Sequence, residues 1–433
     1  METQNFQPEQ ENIKQKSDKS EFRRGIAAGM FGMLLVVVIA ATIIGVFWKK
    51  DVLQEKISEA GSEESTQEST KDTISSSEVE KKAGTIADIL DQYYYEDIDE
   101  DALVDGMYAG MVDGVGDPYT CYYSAEEYSS LMETTSGTYY GIGAVLTQDA
   151  ETNVVTILHV YSGTPAEEAG VKDGDIIVKV DDVEGNSMEL SELVKHIKGE
   201  EGTTVHLQLL REGEEDYLDF DVERRQVEIP TVEYQMLEGK IGLIQISEFS
   251  DNTPEQFDAA IKDLQGQGME AMIVDLRNNP GGVLQAVCSM LDEILPEGTI
   301  VYTEDKYGNR SDYDSDEACL DIPMAVLINE NSASASEIFA GAIKDYKYGT
   351  LIGTTSFGKG IVQSIIPLED GSAVKVTMAK YFTPNGNYIH EKGIEPDITL
   401  EYEYLGDKDA DYEPMQDNQV LKAIEVLGNS TNE

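Results

Sequence analysis

Residues 323–346 read PMAVLINENSASASEIFAGAIKDY, and this stretch predicts a buried strand that passes directly into a helix. MAVLI is an unbroken apolar run of strand length, as found in strands that are covered on both faces of a sheet. In ASEIFAGAIKDY the apolar residues recur at helical spacing. They form one stripe, made of Ile338, Phe339, Ala342, Ile343 and Tyr346. The strand and helix together indicate an α/β layer with a serine-rich turn between its two elements.

The same alternation of strand and helix patterns continues on both sides, from about residue 240 onward. The segments, in order and apart from the stretch above, are KIGLIQISEF, PEQFDAAIKDL, AMIVDLR, VLQAVCSMLDEIL and TLIGTT. Strands separated by amphipathic helices are typical of sheets that are at least partly parallel. We therefore expect a multidomain α/β protein whose α/β core spans residues 226–400.

The flanking regions have different patterns. Residues 136–225 alternate in short β-branched runs with two short helix patterns, which predicts a small, mostly β domain. Residues 83–135 have helical spacing that is interrupted at GVGDPYT, so they are predicted to form an N-terminal helical segment. Residues 401–433 are an acidic tail that ends in a predicted helix.

The N-terminal region predicts a membrane anchor. Residues 25–48 are 24 apolar residues bracketed by basic pairs, long enough as a helix to cross a bilayer core of about 30 Å. Because a polar leader precedes them, an uncleaved transmembrane helix is favoured over a cleaved signal peptide. Basic residues are more numerous in the leader, residues 1–24, which places the leader in the cytoplasm and the rest of the chain outside. Residues 49–82 are rich in Ser, Glu and Thr and are predicted to be a flexible stalk.

The net charge and the cysteines exclude several classes of protein. Lys and Arg number 31 against 84 Asp and Glu, which gives a formal net charge of −53. Such a charge repels nucleic acids, so no nucleic-acid partner is expected. The three cysteines are widely spaced and lack metal-ligand spacing, which predicts neither a disulfide framework nor a zinc site.

The turn holds three serines, and the sequence leaves their roles open. Ser334 and Glu337 fit the S-x-x-E capping box of a helix start, and this structural role suffices to explain them. Alternatively, a serine at a helix start faces free backbone N–H groups that stabilise developing negative charge, which suits a nucleophile. Ser332 and Ser336 are the alternatives to Ser334 at this turn.

A serine nucleophile requires a base, and Lys359 in TTSFGKGIVQS is the candidate. Burial among apolar residues and glycines would lower the pKa of this lysine enough for it to act as a base. Gln363, four residues further on, has a carboxamide that can orient an amine. The alternatives are a surface lysine in a glycine turn and an ordinary polar residue at a strand edge.

A glycine turn provides candidates for an oxyanion hole. VDLRNNPGG, residues 274–282, predicts a strand that runs into a turn. Glycines allow close approach of a ligand, so the N–H of Gly281 or Gly282 could join that of Ala335 around an oxyanion. A plain turn is the alternative.

Three motifs in this order, DLRNNPGG, NENSASASEIFAGAIKDY and GTTSFGKGIVQS, resemble those of the carboxyl-terminal processing peptidases, the tail-specific proteases of family S41. GDPYTCYYSAEEY is similar to the segment that precedes the PDZ domain in this family, and YFTPNGNYIHEKGIEPDI to the segment that follows the catalytic core. The resemblance covers roughly residues 83–425.

The resemblance implies a fold and a mechanism. The core would be crotonase/ClpP-like, with residues 136–225 inserted as a PDZ domain. Ser334 would be the nucleophile, Lys359 the general base and Gln363 the third member of a Ser-Lys-Gln triad. No metal or cofactor would be required.

The resemblance also implies partners. YYGIGA would be the carboxylate-binding loop of the PDZ domain, in which Gly141, Ile142 and Gly143 offer N–H groups to a peptide C-terminus. The expected substrates are proteins or peptides with free C-termini, and a homodimer is expected by analogy with the family. Two other functions stay open: a non-enzymatic PDZ adaptor, and an acyl-CoA enzyme of the crotonase type.

Overall fold

The computed structural model describes residues 75–407 and 410–430. The predicted leader and anchor, and residues 49–74 of the predicted stalk, lie outside the described residues. Within the described ranges, no helix is both long and apolar enough to cross a membrane.

The N-terminal elements are three helices and a short strand. They are Ser76–Tyr93 (α1), Glu100–Asp113 (α2), Cys121–Tyr123 (β1) and Ala125–Ser136 (α3). Helix α1 begins at Ser76, inside the segment that we expected to be a stalk. None of its residues is buried, so an expectation based on how much surface the segment can bury does not detect it. Many apolar side chains of α1 and α2 are exposed, including Ile86, Ile89, Met107 and Met111.

A mostly β unit follows, as predicted for residues 136–225. Its elements, in chain order, are Thr138–Gly141 (β2), Ala144–Gln148 (β3), Val155–Val160 (β4), Pro165–Ala169 (α4), Ile176–Val180 (β5), Val183–Glu184 (β6), Leu190–Ile197 (α5), Thr204–Leu210 (β7), Leu218–Glu223 (β8) and Arg225–Glu228 (β9). The main sheet has the order β3-β4-β5-β7-β8, and β3 is an edge strand. Strands β2 and β9 pair with each other at the base of the unit.

The core is built on a six-stranded sheet, most of it parallel. Its strands are Val232–Leu237 (β10), Ile241–Ile246 (β11), Ala271–Asp275 (β12), Met324–Ile328 (β15), Gly349–Gly353 (β16) and Ile398–Thr399 (β19). They lie in the order β10-β11-β12-β15-β16-β19, and only β10 is antiparallel to its neighbour. The mixed α/β fold that we expected is confirmed.

Helices cover both faces of this sheet, which explains the continuous apolar runs. Thr253–Gly266 (α6), Leu284–Ile294 (α7) and Ala335–Tyr346 (α8) pack on one face, and Asn418–Ser430 (α9) packs on the other. Along β15, Met324, Val326 and Ile328 belong to the first apolar cluster. Ala325 and Leu327 belong to the second. Alternate residues of one strand therefore need apolar partners on opposite faces.

A second sheet lies beside the core. It contains Gly298–Asp305 (β13), Arg310–Ser315 (β14), Ile361–Pro367 (β17) and Ala373–Phe382 (β18), together with β1. Strand β18 pairs with β1, β13 and β17, so the N-terminal segment is joined to the C-terminal half of the core. The strand patterns did not predict this connection, because the paired residues Cys121 and Lys375 are far apart in the sequence.

Candidate active site

Ser334 lies between β15 and α8, at the carboxyl end of a central parallel strand, where open α/β sheets form their sites. Its backbone has φ 57° and ψ −111°, a conformation that residues with a Cβ rarely adopt. Such strain costs about 1–3 kcal/mol and persists only where the surroundings fix it, often at active sites. The residue is 1% exposed, and its Oγ has no hydrogen-bond partner among the described residues.

The hydroxyls of the other two serines of the turn are hydrogen-bonded, unlike that of Ser334. Ser332 Oγ donates a hydrogen bond to the carbonyl of Leu276 at 2.8 Å. Ser336 Oγ donates one to the carbonyl of Asn279 at 2.9 Å. Both bonds tie the serine turn to the loop that follows β12. Two of the three hydroxyls are thus used in structure, and only that of Ser334 is unengaged.

Lys359 lies in the loop before β17 and is 5% exposed. Burial lowers its pKa from 10.5 to about 8; the positive charge of Lys375 acts in the same direction, and Glu337 and Asp117 partly oppose it. Among the described residues, Nζ makes no hydrogen bond or ion pair, and the ring of Tyr119 lies 5.1 Å from it. With a pKa of 8, about one lysine in ten is neutral at pH 7 and can accept a proton.

The carboxylate of Glu337 connects the serine turn to the lysine loop. Its Oε2 accepts the backbone N–H groups of Ser334 at 2.9 Å and of Lys359 at 2.8 Å. Its Oε1 accepts the hydroxyl of Ser356 and the N–H of Gly358, each at 2.6 Å. Burial raises the pKa of Glu337, while these four donated bonds oppose that rise. One oxygen atom therefore fixes the two backbone segments relative to each other.

The sequence suggested Glu337 only as a capping residue. The S-x-x-E spacing was visible, and the glutamate does accept the N–H of Ser334. Its bonds to the lysine loop come from tertiary structure and have no local signal.

Gln363 lies on β17, fully buried, just after a bulge in the pairing of β17 with β18. Bulges turn side chains in new directions. The Nε2 of Gln363 donates to Thr377 Oγ1 at 3.4 Å, whereas Oε1 is buried and has no partner among the described residues. No hydrogen bond joins Gln363 directly to Lys359 in the described part of the chain.

The glycine turn after β12 lies against the serine. A Cβ placed on Gly281 would be 2.7 Å from Cβ of Ser334 and 2.9 Å from the nitrogen of Ala335. Ala335 is the first residue of α8, so its N–H has no acceptor within the helix. The N–H of Gly281 donates to Asn279 Oδ1 at 2.8 Å. Gly282 packs its backbone against Phe249, where any side chain would clash.

The predicted carboxylate-binding loop follows β2. Ile142 is buried in the apolar core of the β unit, and Gly143 has φ +85° and no room for a Cβ beside Thr164. Burial raises the pKa of the Tyr139 hydroxyl to about 12, and the nearby backbone N–H groups of Gly143 and Ala144 partly oppose this rise. The tyrosine hydroxyl therefore lies beside the loop that we expected to bind a peptide carboxylate.

Two further features of the described chain concern possible ligands. A cleft of about 550 Å³ lies between the β unit and the core, lined by residues that include Tyr161, Arg225 and Gln256, and it contains none of the proposed catalytic residues.

Within residues 75–407 and 410–430, no group of three or more His, Cys, Asp and Glu side chains is placed to hold a metal ion.

Family models match three parts of the chain. Residues 240–400 match peptidase family S41, residues 139–222 match a PDZ domain, and residues 36–127 match the model described as the activating protease CtpB N-terminal domain.

Similar proteins have related names. A carboxyl-terminal-processing protease of Synechocystis is 38% identical over 296 residues, which cover 67% of this chain and 69% of that protein. A probable CtpA-like serine protease of Staphylococcus aureus is 37% identical over 324 residues, or 74% of this chain. The chain spans slightly less than two thirds, 64%, of the staphylococcal protein.

The photosystem II D1 C-terminal processing protease is a similar solved structure. It is 30% identical, with 80% of this chain and 90% of that chain covered and a TM-score of 0.44. This score is too low to assign the fold of the core, so the crotonase/ClpP-like architecture stays a prediction. The expected serine peptidase and PDZ domain are confirmed by the family models and the relatives. The chain belongs to peptidase family S41, the family of the carboxyl-terminal processing proteases, and carries a PDZ domain.

Proposed function

We propose that this chain is a membrane-anchored serine endopeptidase that cleaves protein substrates in their C-terminal regions with a Ser-Lys catalytic site. Ser334 is the nucleophile, Lys359 is the general base, and Gln363 orients the amine of the lysine. This proposal rests on one observation at the serine turn: the hydroxyl of Ser334 is unengaged, whereas those of Ser332 and Ser336 are hydrogen-bonded. A strained, buried serine with an unengaged hydroxyl is held by Glu337 beside the loop of a buried lysine whose pKa is about 8.

The arrangement suits acyl transfer in two steps. Neutral Lys359 accepts the proton of Ser334 as Oγ attacks the scissile carbonyl, and the ammonium then protonates the departing amine. The neutral lysine next removes a proton from water as the water attacks the acyl-enzyme. When the bond between the acyl carbon and Ser334 Oγ breaks, the ammonium returns this proton to Oγ and the acid is released. Each half-reaction returns the lysine to its starting protonation state, so the base is regenerated without any further group.

The oxyanion of each tetrahedral intermediate needs donors near Ser334. Ala335 supplies an N–H at the start of α8, and the adjacent turn of Gly281 and Gly282 supplies the second donor. The contact between Gly281 and Ser334 supports this assignment. In this structure the N–H of Gly281 is bonded to Asn279, so that donor becomes available only when the bond opens.

The PDZ domain is proposed to bind the substrate tail and to present it to the core. Its strand β3 is an edge strand, and a peptide can extend the sheet there beside α5. The loop at Gly141, Ile142 and Gly143 would hold the terminal carboxylate. The hydroxyl of Tyr139 lies beside the N–H groups of Gly143 and Ala144, so a carboxylate bound there would compete with it for these donors.

The anchor and a dimer belong to the same proposal. Residues 25–48 would span the cell membrane once, with the PDZ domain and the core on the extracytoplasmic side. The exposed apolar side chains of α1 and α2 would pack against a second copy of the chain. Sedimentation analysis of the full-length chain in detergent tests the dimer, and an exclusively monomeric species would refute it.

Cleavage assays test the catalytic proposal. The full-length chain in detergent is incubated with an unstructured protein that ends in apolar residues, and the products are identified by mass spectrometry. The wild-type chain should cleave, whereas Ser334→Ala and Lys359→Ala should bind the substrate without cleaving it. Lys380→Ala, an exposed lysine on β18, is the matched control and should retain activity. Undiminished cleavage by both site variants would refute the mechanism. If no form of the chain cleaves the substrate, the peptidase proposal fails and the non-enzymatic PDZ adaptor is favoured instead.

A further inference from the structure

A chain of hydrogen bonds runs from Gln363 to a carboxylate in the N-terminal segment. Gln363 Nε2 donates to Thr377 Oγ1 at 3.4 Å, and Thr377 Oγ1 donates to Asp117 Oδ2 at 2.6 Å. Thr120 Oγ1 also donates to Asp117 Oδ2, at 2.6 Å, and the N–H of Tyr119 donates to Oδ1 at 3.1 Å. Asp117 therefore accepts several bonds at a position far from the catalytic residues in sequence.

The direction of this chain is fixed by its carboxylate end. Burial opposes ionisation of Asp117, but hydrogen bonds from Thr120, Thr377 and Tyr119 outweigh it and hold the pKa of Asp117 below its ordinary value. An ionised carboxylate only accepts hydrogen bonds, so it takes the single hydroxyl proton of Thr377. Thr377 Oγ1 then has only acceptor capacity left for Gln363, and the carboxamide has to present its NH₂ group there.

The consequence is an oriented carbonyl oxygen in the active site. With Nε2 of Gln363 bound to Thr377, Oε1 points away from Thr377 and is left buried without a partner. The side chain of Lys359, which the proposed mechanism needs to orient, is 5% exposed, and its Nζ has no hydrogen-bond acceptor among the described residues. A buried acceptor without a donor is costly, which favours a hydrogen bond between this oxygen and the amine of Lys359.

We propose that Asp117 and Thr377 are positioning residues that fix the orientation of the Gln363 carboxamide so that its oxygen receives the amine of Lys359. This inference rests on the proposed function and extends it to a part of the chain outside the S41 match. The catalytic site is complete only when the turn at residues 116–120 is seated on the core.

The seating of this turn is built into the fold. Strand β1 follows the turn directly and pairs with β18, with Cys121 opposite Lys375. Thr120 Oγ1 also accepts the backbone N–H of Thr377 at 3.1 Å. In addition, Lys375 Nζ donates to the hydroxyl of Tyr123 at 2.7 Å. Three separate contacts thus hold Asp117 beside β18.

The electrostatic surroundings of Lys359 determine what the test should show. Five groups face the amine: the anions Glu337 and Asp117, the cation Lys375, the side chain of Cys121 and the ring of Tyr119. Loss of the negative charge of Asp117 lowers the pKa of Lys359, whereas loss of the hydroxyl of Thr377 leaves every charge in place. The effect of replacing Asp117 can therefore be distinguished from the effect of replacing Thr377 by the pH dependence of the reaction.

Two substitutions test the chain of bonds. Asp117→Asn puts a donor amide at the position of Oδ2, which reverses the direction of the chain and turns the NH₂ group of Gln363 toward Lys359. Thr377→Val removes the hydroxyl with little change in shape. Each should lower kcat/KM about tenfold to hundredfold through misplacement of the base. The acid limb of kcat/KM should move to lower pH in Asp117→Asn and stay in place in Thr377→Val.

Matched variants separate positioning from loss of folding. Thr377→Ser keeps the hydroxyl and should retain kcat/KM within about twofold of the wild-type chain. In a Gln363→Ala background, Thr377→Val should cause no further loss, because the residue acts only through the glutamine.

The outcomes distinguish this inference from the proposed function. If the wild-type chain cleaves and Ser334→Ala does not, but Thr377→Val reacts at the wild-type rate, the positioning role is refuted while the peptidase stands. Full additivity of Thr377→Val and Gln363→Ala would refute it equally. If the wild-type chain itself fails to cleave, the proposed function has failed.

Discussion

Replacement of Lys359 by methionine should stabilise the fold at neutral pH. The side chain is buried, and its ammonium makes no hydrogen bond or ion pair with the described residues, so the charged form is held at a cost. A fall in pKa from 10.5 to about 8 corresponds to about 3 kcal/mol of free energy between the two protonation states. Methionine has a similar shape and no charge, so Lys359→Met should recover most of this free energy of unfolding.

The gain should depend on pH in a defined direction. Because the pKa of Lys359 is lower in the folded chain, the unfolded chain binds more protons between about pH 8 and pH 10.5. The wild-type free energy of unfolding therefore receives a rising contribution from this lysine across that window, and the full penalty applies below pH 8. The advantage of Lys359→Met should be about 3 kcal/mol at pH 7 and should nearly vanish by pH 10.5.

Hydrogen exchange of the amides of β17 and β18 in the full-length chain measures this effect, because it reports the core separately from the PDZ domain. Comparison of variant and wild type at each pH removes the contributions of other titrating groups. Lys380→Met, at an exposed position on β18, is the control and should change stability by less than about 0.5 kcal/mol. A Lys359→Met chain that is less stable than wild type at pH 7, or a gain that does not vary with pH, would refute the reasoning.

Three other substitutions have expected outcomes. Glu337→Gln exchanges one acceptor oxygen for a donor, which leaves two buried donors unpaired. It should lower the free energy of unfolding in urea by about 2–6 kcal/mol and abolish cleavage. Glu330→Gln, at an exposed position, is the control and should do neither. Tyr139→Phe removes a hydroxyl that lies beside the N–H groups of the PDZ loop and competes with a carboxylate for them. It should therefore strengthen binding of a C-terminal peptide in calorimetry; unchanged affinity would contradict this. Lys375→Met removes a positive charge near Lys359, which raises the pKa of that lysine, so the acid limb of kcat/KM should move to higher pH; a shift to lower pH would be inconsistent with the account.

Local patterns predicted the parts of the site that lie within one strand and one helix. The apolar run of β15 and the helical stripe of α8 placed Ser334 at a strand-to-helix turn, and the structure has this turn. Its strain, with φ 57°, has no signal in the sequence, because it results from the packing of neighbouring loops around the serine.

Contacts between distant segments could not be predicted in the same way. The pairing of Cys121 with Lys375 depends on a register between strands on opposite sides of the PDZ domain. Without that register, Asp117 and Thr377 have no apparent relation to Gln363. The GDPYT motif, which contains Asp117, was recognised in the sequence because it resembles a segment of the family. Nothing in the sequence indicated that it contributes to the active site. The early start of α1 at Ser76 was missed because its residues bury nothing.

Acylation of Ser334 is the most direct test of the central claim, that this serine is the nucleophile and Lys359 its base. The full-length chain is mixed with a peptide substrate in a single turnover, quenched with acid at intervals, and mapped by mass spectrometry across a range of pH. The account predicts an acyl group on Ser334 whose rate of formation rises with an apparent pKa of about 8, and no acylation in Lys359→Ala. Acylation at another residue, or unchanged acylation of Ser334 in Lys359→Ala, would contradict it.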